Sequence, residues 1–255
     1  MAVVPLGMTW MRRAVARADA PPRDDVVRRW LKRFGGREIK TAGDGFLVVF
    51  DSPSRALTWA CTVSTRLPSG SPASSLAAAW SIEHPSNPYH RSPEVLETVM
   101  AGGDALIADQ DAKGQWEFRK KDGSTWGQIY MPWTYSRWGR AYALIKDAMP
   151  PQRRAKWEKA LLLGFEGIYQ TEPKKPMQNI PVHNCMGLYL ASKIFEKPEW
   201  EKAAVDYLHA CVKDQHPDGF WTEHKGPVVM YNGVYVDALG AYYGMSGDKV
   251  VLDAL

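Results

Sequence analysis

The residues of this chain best suited to chemistry fall into two groups far apart in sequence. In the first, Asp44 sits between two glycines in GGREIKTAGDGFLVVFDSP, at the tip of what reads as a hairpin, with Lys40 shortly before it. A carboxylate held at a hairpin tip is a ligand for a hard cation such as Mg²⁺ or Mn²⁺, and the flanking glycines let a phosphate approach closely. In the second group, His224 follows the turn DGFW and precedes Tyr231 and Tyr235, while His183 and Asn184 are neighbours. Arg137 stands in WGQIYMPWTYSRW among Trp126, Trp133, Tyr135 and Trp138. Imidazole moves a proton near neutral pH, and a phenol exchanges one where nearby charge lowers its pKa. A guanidinium forks a carboxylate, and an exposed indole stacks on a pyranose face. Of the 11 tryptophans, eight lie beyond residue 79, several of them in turns.

The elements that must carry these residues differ along the chain. RDDVVRRWLKRFGG predicts a helix with Val26, Val27, Trp30, Leu31 and Phe34 on one face and Gly35 as its C-cap. REIKTA and GFLVVF predict strands around Gly43-Asp44-Gly45. Asp51 and Pro53 then suit the N-cap and first turn of a helix from Arg55 to Leu67. LPSGSPASSLAAA has linker composition, which separates an α/β segment at 1–67 from the remainder at 80–255 by a linker at 68–79. Beyond it, helices are expected near 92–108, 132–148, 151–169, 182–196, 199–214 and 229–244, as three antiparallel hairpins, with a strand around GQWEFRKKDG. DAKGQW, KKDGSTWG and HPDGFWTEH each set an Asp/Gly turn beside a tryptophan, without the fixed period of a true repeat.

Composition bounds the function. With 255 residues and 45% hydrophobic content the chain can bury a sizeable core. It contains no apolar run of roughly 18 residues to span a membrane. The arginines of MAVVPLGMTWMRRAVARAD follow the apolar run, the reverse of a secretory signal, so the expected compartment is the cytoplasm. Cys61, Cys185 and Cys211 lack CxxC spacing, so they read as buried thiols rather than a disulfide framework or zinc site. Residues 1–79 carry a net +6 and the rest −2, an asymmetry that suits two segments of different origin. It is too mild to imply nucleic acid as a partner.

Over about residues 24–66, GGREIKTAGDGFLVVFDSPSRAL resembles the class III adenylate/guanylate cyclases, bacterial ones in particular. The resemblance implies a ferredoxin-like α/β fold that dimerises. It also implies two metal ions, Mg or Mn, held by two aspartates, which activate the ribose 3′-hydroxyl of ATP or GTP for attack on the α-phosphate. Asp44 matches the second metal-binding aspartate, and Lys40 matches the base-reading lysine, a point-charge donor able to reach a purine ring nitrogen. The family's first metal aspartate is expected earlier, in a strand reading F-x-D-I, and residues 1–19 hold no such sequence. The later base-reading residue, and the asparagine and arginine that stabilise the transition state, give way to the linker. The expectation is a truncated, inactive cyclase fragment that needs a partner to fold.

Residues 80–255 resemble half of an (α/α) toroid of the kind found in polysaccharide lyases and some glycoside hydrolases. SIEHPSNPYHRSPEVLE, WGQIYMPWTYSRWGRAY, NIPVHNCMGLYLAS and DGFWTEHKGPVVMYNGVYVDALGAYY carry the resemblance. The fold class expected for the whole chain is therefore mainly α, an incomplete toroid of helical hairpins preceded by a small ferredoxin-like fragment. The resemblance implies β-elimination on a uronate-containing polysaccharide or oligosaccharide, with no cofactor. His224 is then base or charge neutraliser, Tyr231 or Tyr235 the proton partner of the glycosidic oxygen, and Asn184 a donor to the uronate carboxylate. Arg137, Trp126, Tyr135, Trp138 and His183 bind substrate. Each has a second reading: the aromatics line a helix interface, Tyr235 is core, and His183 and Asn184 cap a helix. A hydrolase would need paired carboxylates, and nothing pairs Asp122, Glu172, Glu223 or Asp237. His84 and His90, in EHPSNPYH, belong to a structured loop or to the substrate groove, with no metal spacing. SSLAAAW resembles the end of a signal peptide, which implies an exported origin for the toroid segment and a fused chain.

Overall fold

Branched and aromatic side chains favour extended backbone because they pack well on a pleated surface, and GFLVVF is such a run. In the computed structural model of the chain it is the middle strand of an antiparallel sheet. The structure describes residues 2–6, 28–29, 31–33, 35–42, 45–50, 73–85, 87–120 and 122–255. Strands β1 (Ala2–Leu6), β2 (Arg37–Ala42) and β3 (Gly45–Phe50) lie in the order β1-β3-β2. β1 runs from Ala2 opposite Phe50 to Leu6 opposite Phe46, and β2 ends with Ala42 opposite Gly45. The register of β2 slips between Glu38 and Lys40.

The strand β1 was not expected from the sequence. Pro5 argues against a strand in the middle of a sheet, because it cannot donate to the ladder. Among the described strands, however, β1 pairs on one side alone, with β3, and an edge strand is where a sheet tolerates proline. Residues 28–29 and 31–33 are helical, with Leu31 buried. Gly35 takes φ 69°, and the Gly36 N–H closes on the Leu31 carbonyl at 2.9 Å. This is the left-handed C-cap that its glycine suited. Trp30, Phe34, the helix expected at 55–67 and residues 68–72 lie outside the described residues.

The stretch read as linker is helical from Ala73. Helix α1 (Ala73–Ser81) forms because ASSLAAAW is rich in alanine and leucine, the strongest helix formers. It buries Leu76, Ala77, Ala79 and Trp80. Helix α2 (Pro93–Asp109) follows a loop organised by Asn87, whose amide donates to the carbonyls of Ala79 at 2.6 Å and Ile82 at 2.7 Å. Arg91 lies 4.2 Å above the Trp80 ring. The chain divides into two compact units, one of Met1–Asp109 with Leu144–Pro150 and one of Gln110–Ala143 with Pro151–Leu255.

The described residues are mainly helical, and the second unit holds the helices α3 (Pro132–Ile145, all but its last two residues), α4 (Pro151–Thr171), α5 (Asn179–Phe195), α6 (Pro198–Lys213) and α7 (Val229–Ser246). Prolines open three of these helices, α3, α4 and α6, where a missing N–H is harmless and φ is already set. In α5 the proline is Pro181, inside the first turn. α6 adds Glu199 and Glu201 at its start and Lys213 at its end, which matches the helix dipole. α5 is the central element: it packs against α4, α6 and α7, and almost every residue from Asn179 to Ser192 is buried. The strand expected around GQWEFRKKDG is β4 (Trp116–Arg119), paired antiparallel with β5 (Thr125–Ile129). A short pair, β6 (Thr222–Glu223) and β7 (Gly226–Pro227), leads into α7.

The core of the second unit is aromatic. Trp138, Trp157, Trp200, Trp221, Tyr135 and Phe165 are among its largest fully buried side chains. Tyr135 donates a short hydrogen bond to the Gly114 carbonyl and accepts one from Gln110 Nε2 at 2.7 Å. Gly164 makes room for it, since a Cβ there would overlap the Tyr135 hydroxyl. Cys185 and Cys211 are buried free thiols, pushed up in pKa by burial, and Cys61 lies outside the described residues.

Candidate functional site

In the first unit the hairpin β2–β3 carries the metal-and-nucleotide candidates. Lys40 lies in β2 opposite Leu47, just past the register slip. Asp44 lies outside the described residues, between the ends of strands that close at Ala42 and Gly45. Among the described residues, no group of three or more His, Cys, Asp or Glu side chains is placed to hold a metal ion.

In the second unit the residues singled out from the sequence separate into three places. The first is the turn between β6 and β7. A two-residue hairpin turn of type I′ needs positive φ at both central positions, which asparagine and glycine adopt most readily. Here they are His224 at φ 50° and Lys225 at φ 78°. Holding such residues there costs on the order of 1 kcal/mol each, so neighbouring structure must fix the turn. Two features do so. Asn232 on α7 accepts from the Trp221 N–H at 2.6 Å and donates to the Trp221 carbonyl at 2.9 Å. Buried Glu223 accepts at one oxygen, Oε1, from the Asn179 N–H at 2.6 Å, from Asn179 Nδ2 at 3.1 Å and from the Tyr235 hydroxyl at 2.8 Å. The turn thereby presents the exposed His224 ring 5.7 Å from the ring of Tyr231.

Tyr235 is not available for proton transfer to a substrate. It is fully buried, stacked on Trp221 at 4.8 Å, and donates to Glu223. Burial, followed by its bond to Glu223, pushes its phenol far above the ordinary range. Tyr135 and Trp138 are likewise core: both are 1% exposed, and their crowding in the sequence is the packing of α3 rather than a groove. Burial raises the Tyr135 phenol as well.

The second place is where α3, α5 and α7 meet. His183 and Asn184 lie inside α5 and do not cap it; the N-cap is Gln178. Asn184 donates to the Tyr130 carbonyl at 3.2 Å, and its own side-chain oxygen is buried without a hydrogen-bond partner. The buried His183 ring lies 5.1 Å from that of Trp133, with its Nε2 3.3 Å from Oδ2 of Asp237 on α7. Burial lowers the His183 pKa, and the hydrogen bond from His183 in turn lowers that of Asp237. Arg137 and Arg140 of α3 act on both groups through their charge. Burial also lowers the Arg137 pKa, against the attraction of Asp237.

The third place is the hairpin β4–β5, where Trp126 is 57% exposed and stacks on Phe118 at 4.4 Å and 12°, with Lys120 Nζ 5.9 Å from its ring. His84 and His90 belong to the Asn87 loop of the first unit. Asn232 and Glu223 hold the β6–β7 turn, a role the sequence did not show: Glu223 was named only among the unpaired carboxylates of a hydrolase, and Asn232 not at all. Each works through a partner 11 or more positions away, which spacing does not reveal.

Comparison with known proteins bears on a small part of the chain. It is 43% identical over 51 residues to an adenylate cyclase of Lachancea kluyveri, which is 20% of this chain and 3% of that protein. It is 50% identical over 42 residues to an adenylate cyclase of Mycosarcoma maydis, 16% of this chain and 2% of that protein. The chain thus spans only a few hundredths of the length of the curated relatives it matches. No family model matches the chain, and no solved structure does. Among the described residues, no helix is long and apolar enough to cross a membrane.

Proposed function

We propose that the first segment, around residues 24–66, is derived from a class III nucleotidyl cyclase and does not cyclise nucleotides by itself. The partial identity to the two fungal adenylate cyclases carries this reading. The antiparallel order β1-β3-β2, with helical residues between β1 and β2, supports it, because a ferredoxin-like domain places its first strand beside its third. On this reading β1 stands where the family bears its first metal aspartate, and AVVPL has no acidic residue. Asp44 alone does not make a two-carboxylate cradle, so the residues at hand do not fit a pair of Mg²⁺ or Mn²⁺ ions. Lys40 and Asp44 then remain as the base-reading and metal positions of a half-site. The test is cyclic nucleotide formation from ATP and GTP with Mn²⁺ or Mg²⁺. The reading expects none above the blank, and product that disappears in Asp44→Ala would overturn it.

A specific observation favours a second reading for the helical part, as a carbohydrate-binding, lyase-like segment related to half of a toroid. It is the ring pair of exposed His224 and half-buried Tyr231, with His224 on a turn whose backbone conformation suits neither His224 nor Lys225. In an elimination on a uronate polymer His224 takes the C5 proton. The electron pair forms the C4–C5 double bond as the C4–O bond breaks, and the Tyr231 hydroxyl protonates the departing oxygen. Trp126 offers a sugar-stacking face on its own hairpin. Ultraviolet absorbance from a new unsaturated bond in polygalacturonate tests it. The expected gain is abolished in His224→Ala, and a gain unchanged by that substitution would exclude His224 as the base.

A further inference from the structure

We infer that the outward face of α7 is a contact between two copies of this chain, packed antiparallel about a two-fold axis. α7 carries one charged side chain, Asp237, in 18 residues. A helix so apolar on all sides is ordinarily covered on all sides. Its Tyr235, Ala238, Leu239 and Tyr242 are buried, with the Tyr242 ring 4.8 Å from that of Tyr189 on α5. On the opposite side Val229 is 86% exposed, Met230 69% and Val236 44%, and Gly233 and Gly244 are exposed with them. Exposed Leu255 adjoins this face, its Cδ2 4.0 Å from where a Cβ on Gly240 would be. Apolar surface gathered in this way marks a place where another molecule sits.

The order of side chains along the face points to a second copy as the occupant. Val229, Gly233, Val236 and Gly240 follow at steps of four, three and four residues, which keeps them on one strip of the helix. Read backwards, the strip has a glycine wherever it has a valine read forwards. Two such helices laid end to end in opposite directions therefore set Val236 over the partner's Gly233 and Val229 over the partner's Gly240. The two-fold axis makes each pairing twice. A Cβ on Gly233 would meet nothing within 4 Å, and one on Gly240 would meet Leu255 alone, so both positions leave room for a valine. Bulk set into such hollows is how helix surfaces interlock at close range. A parallel pair in register would instead set valine on valine. Charge favours the same sense: exposed Lys225, just before α7, then lies beside the carbonyl end of the partner's α7, where the helix dipole is negative.

The test uses the full chain. Sedimentation equilibrium at about 50 µM, where an association of micromolar Kd is nearly complete, is expected to give the mass of two chains. Gly233→Leu leaves α7 intact, since leucine forms helix better than glycine and nothing lies within 4 Å of its Cβ, yet it fills the hollow meant for the partner's Val236. It is expected to weaken association about tenfold or more without lowering Tm. Register is read by mixing a Gly233→Cys chain with a Val236→Cys chain under mild oxidation. A disulfide joining the two is expected in the mixture, and no comparable crosslink in either variant alone. A wild-type mass of one chain overturns the inference, whether the face then stays open or takes a different protein. So does a dimer that Gly233→Leu leaves intact, and so does crosslinking as strong in either variant alone as in the mixture.

Discussion

Replacing Glu223 by alanine removes the acceptor that holds the β6–β7 turn to α5 and α7. Glu223 is 4% exposed, and its Oε1 alone serves the Asn179 N–H, the Asn179 amide and the Tyr235 hydroxyl. A buried donor left without an acceptor costs about 1–3 kcal/mol. Orphaning these donors together therefore sets a loss of about 3–5 kcal/mol, allowing for water entering the space left by the side chain. That is a large share of a typical domain's stability. Urea unfolding followed by tryptophan fluorescence reads it directly, since Trp221 stacks on Tyr235 beside the lesion. Tyr235→Phe, which removes one donor and leaves the others served, is expected to cost about 1 kcal/mol. A loss below about 1 kcal/mol in Glu223→Ala would refute the view that this carboxylate organises the turn and hence the position of His224.

Other consequences follow from equally local features. Gly164→Ala drives a methyl into the Tyr135 ring, which Gln110 and Gly114 hold in place, and is expected to destabilise by about 3 kcal/mol in the same assay. Lys225→Gly relieves a positive φ at a cost in unfolded-chain entropy, so a net stabilisation of about 1 kcal/mol or less is expected, seen as a higher Tm with His224 unchanged. Asp248 is held at a pKa of about 2, first by its bond to His209 at 2.6 Å and then by the Tyr242 hydroxyl at 2.7 Å. A carboxylate depressed on folding stabilises above its unfolded pKa of about 4 and loses that contribution as pH falls from about 4 to 2. Asp248→Asn should therefore flatten the acid limb of Tm against pH in that window, and an unaltered limb would contradict the assignment.

Where sequence and structure agree, the signal was local. The helices expected at 151–169, 199–214 and 229–244 are α4, α6 and α7, because prolines or turn residues mark their starts and Gly247 closes α7 with φ 68°. The left-handed Gly35 cap was legible for the same reason. β1 was not, because the strand it pairs with, β3, lies more than forty residues on. The linker reading of LPSGSPASSLAAA came from composition: small residues suit linkers, yet from Ala73 the chain is helical and Leu76 and Trp80 are buried. At the candidate site, His224 and Tyr231 were legible as a pair because one turn and the start of one helix bring them together. Tyr235 shares that helix but faces Glu223 and Trp221, and only packing tells the faces of α7 apart.

The claim most exposed to a single measurement concerns the hairpin around Asp44. Purified chain with Mn²⁺ and ATP, assayed for cyclic AMP beside its Asp44→Ala variant, tests whether β1 without a carboxylate leaves the cyclase-like segment short of a metal pair. The account predicts no cyclic AMP above the blank from either protein. Cyclic AMP made by the wild type and lost in Asp44→Ala would contradict it.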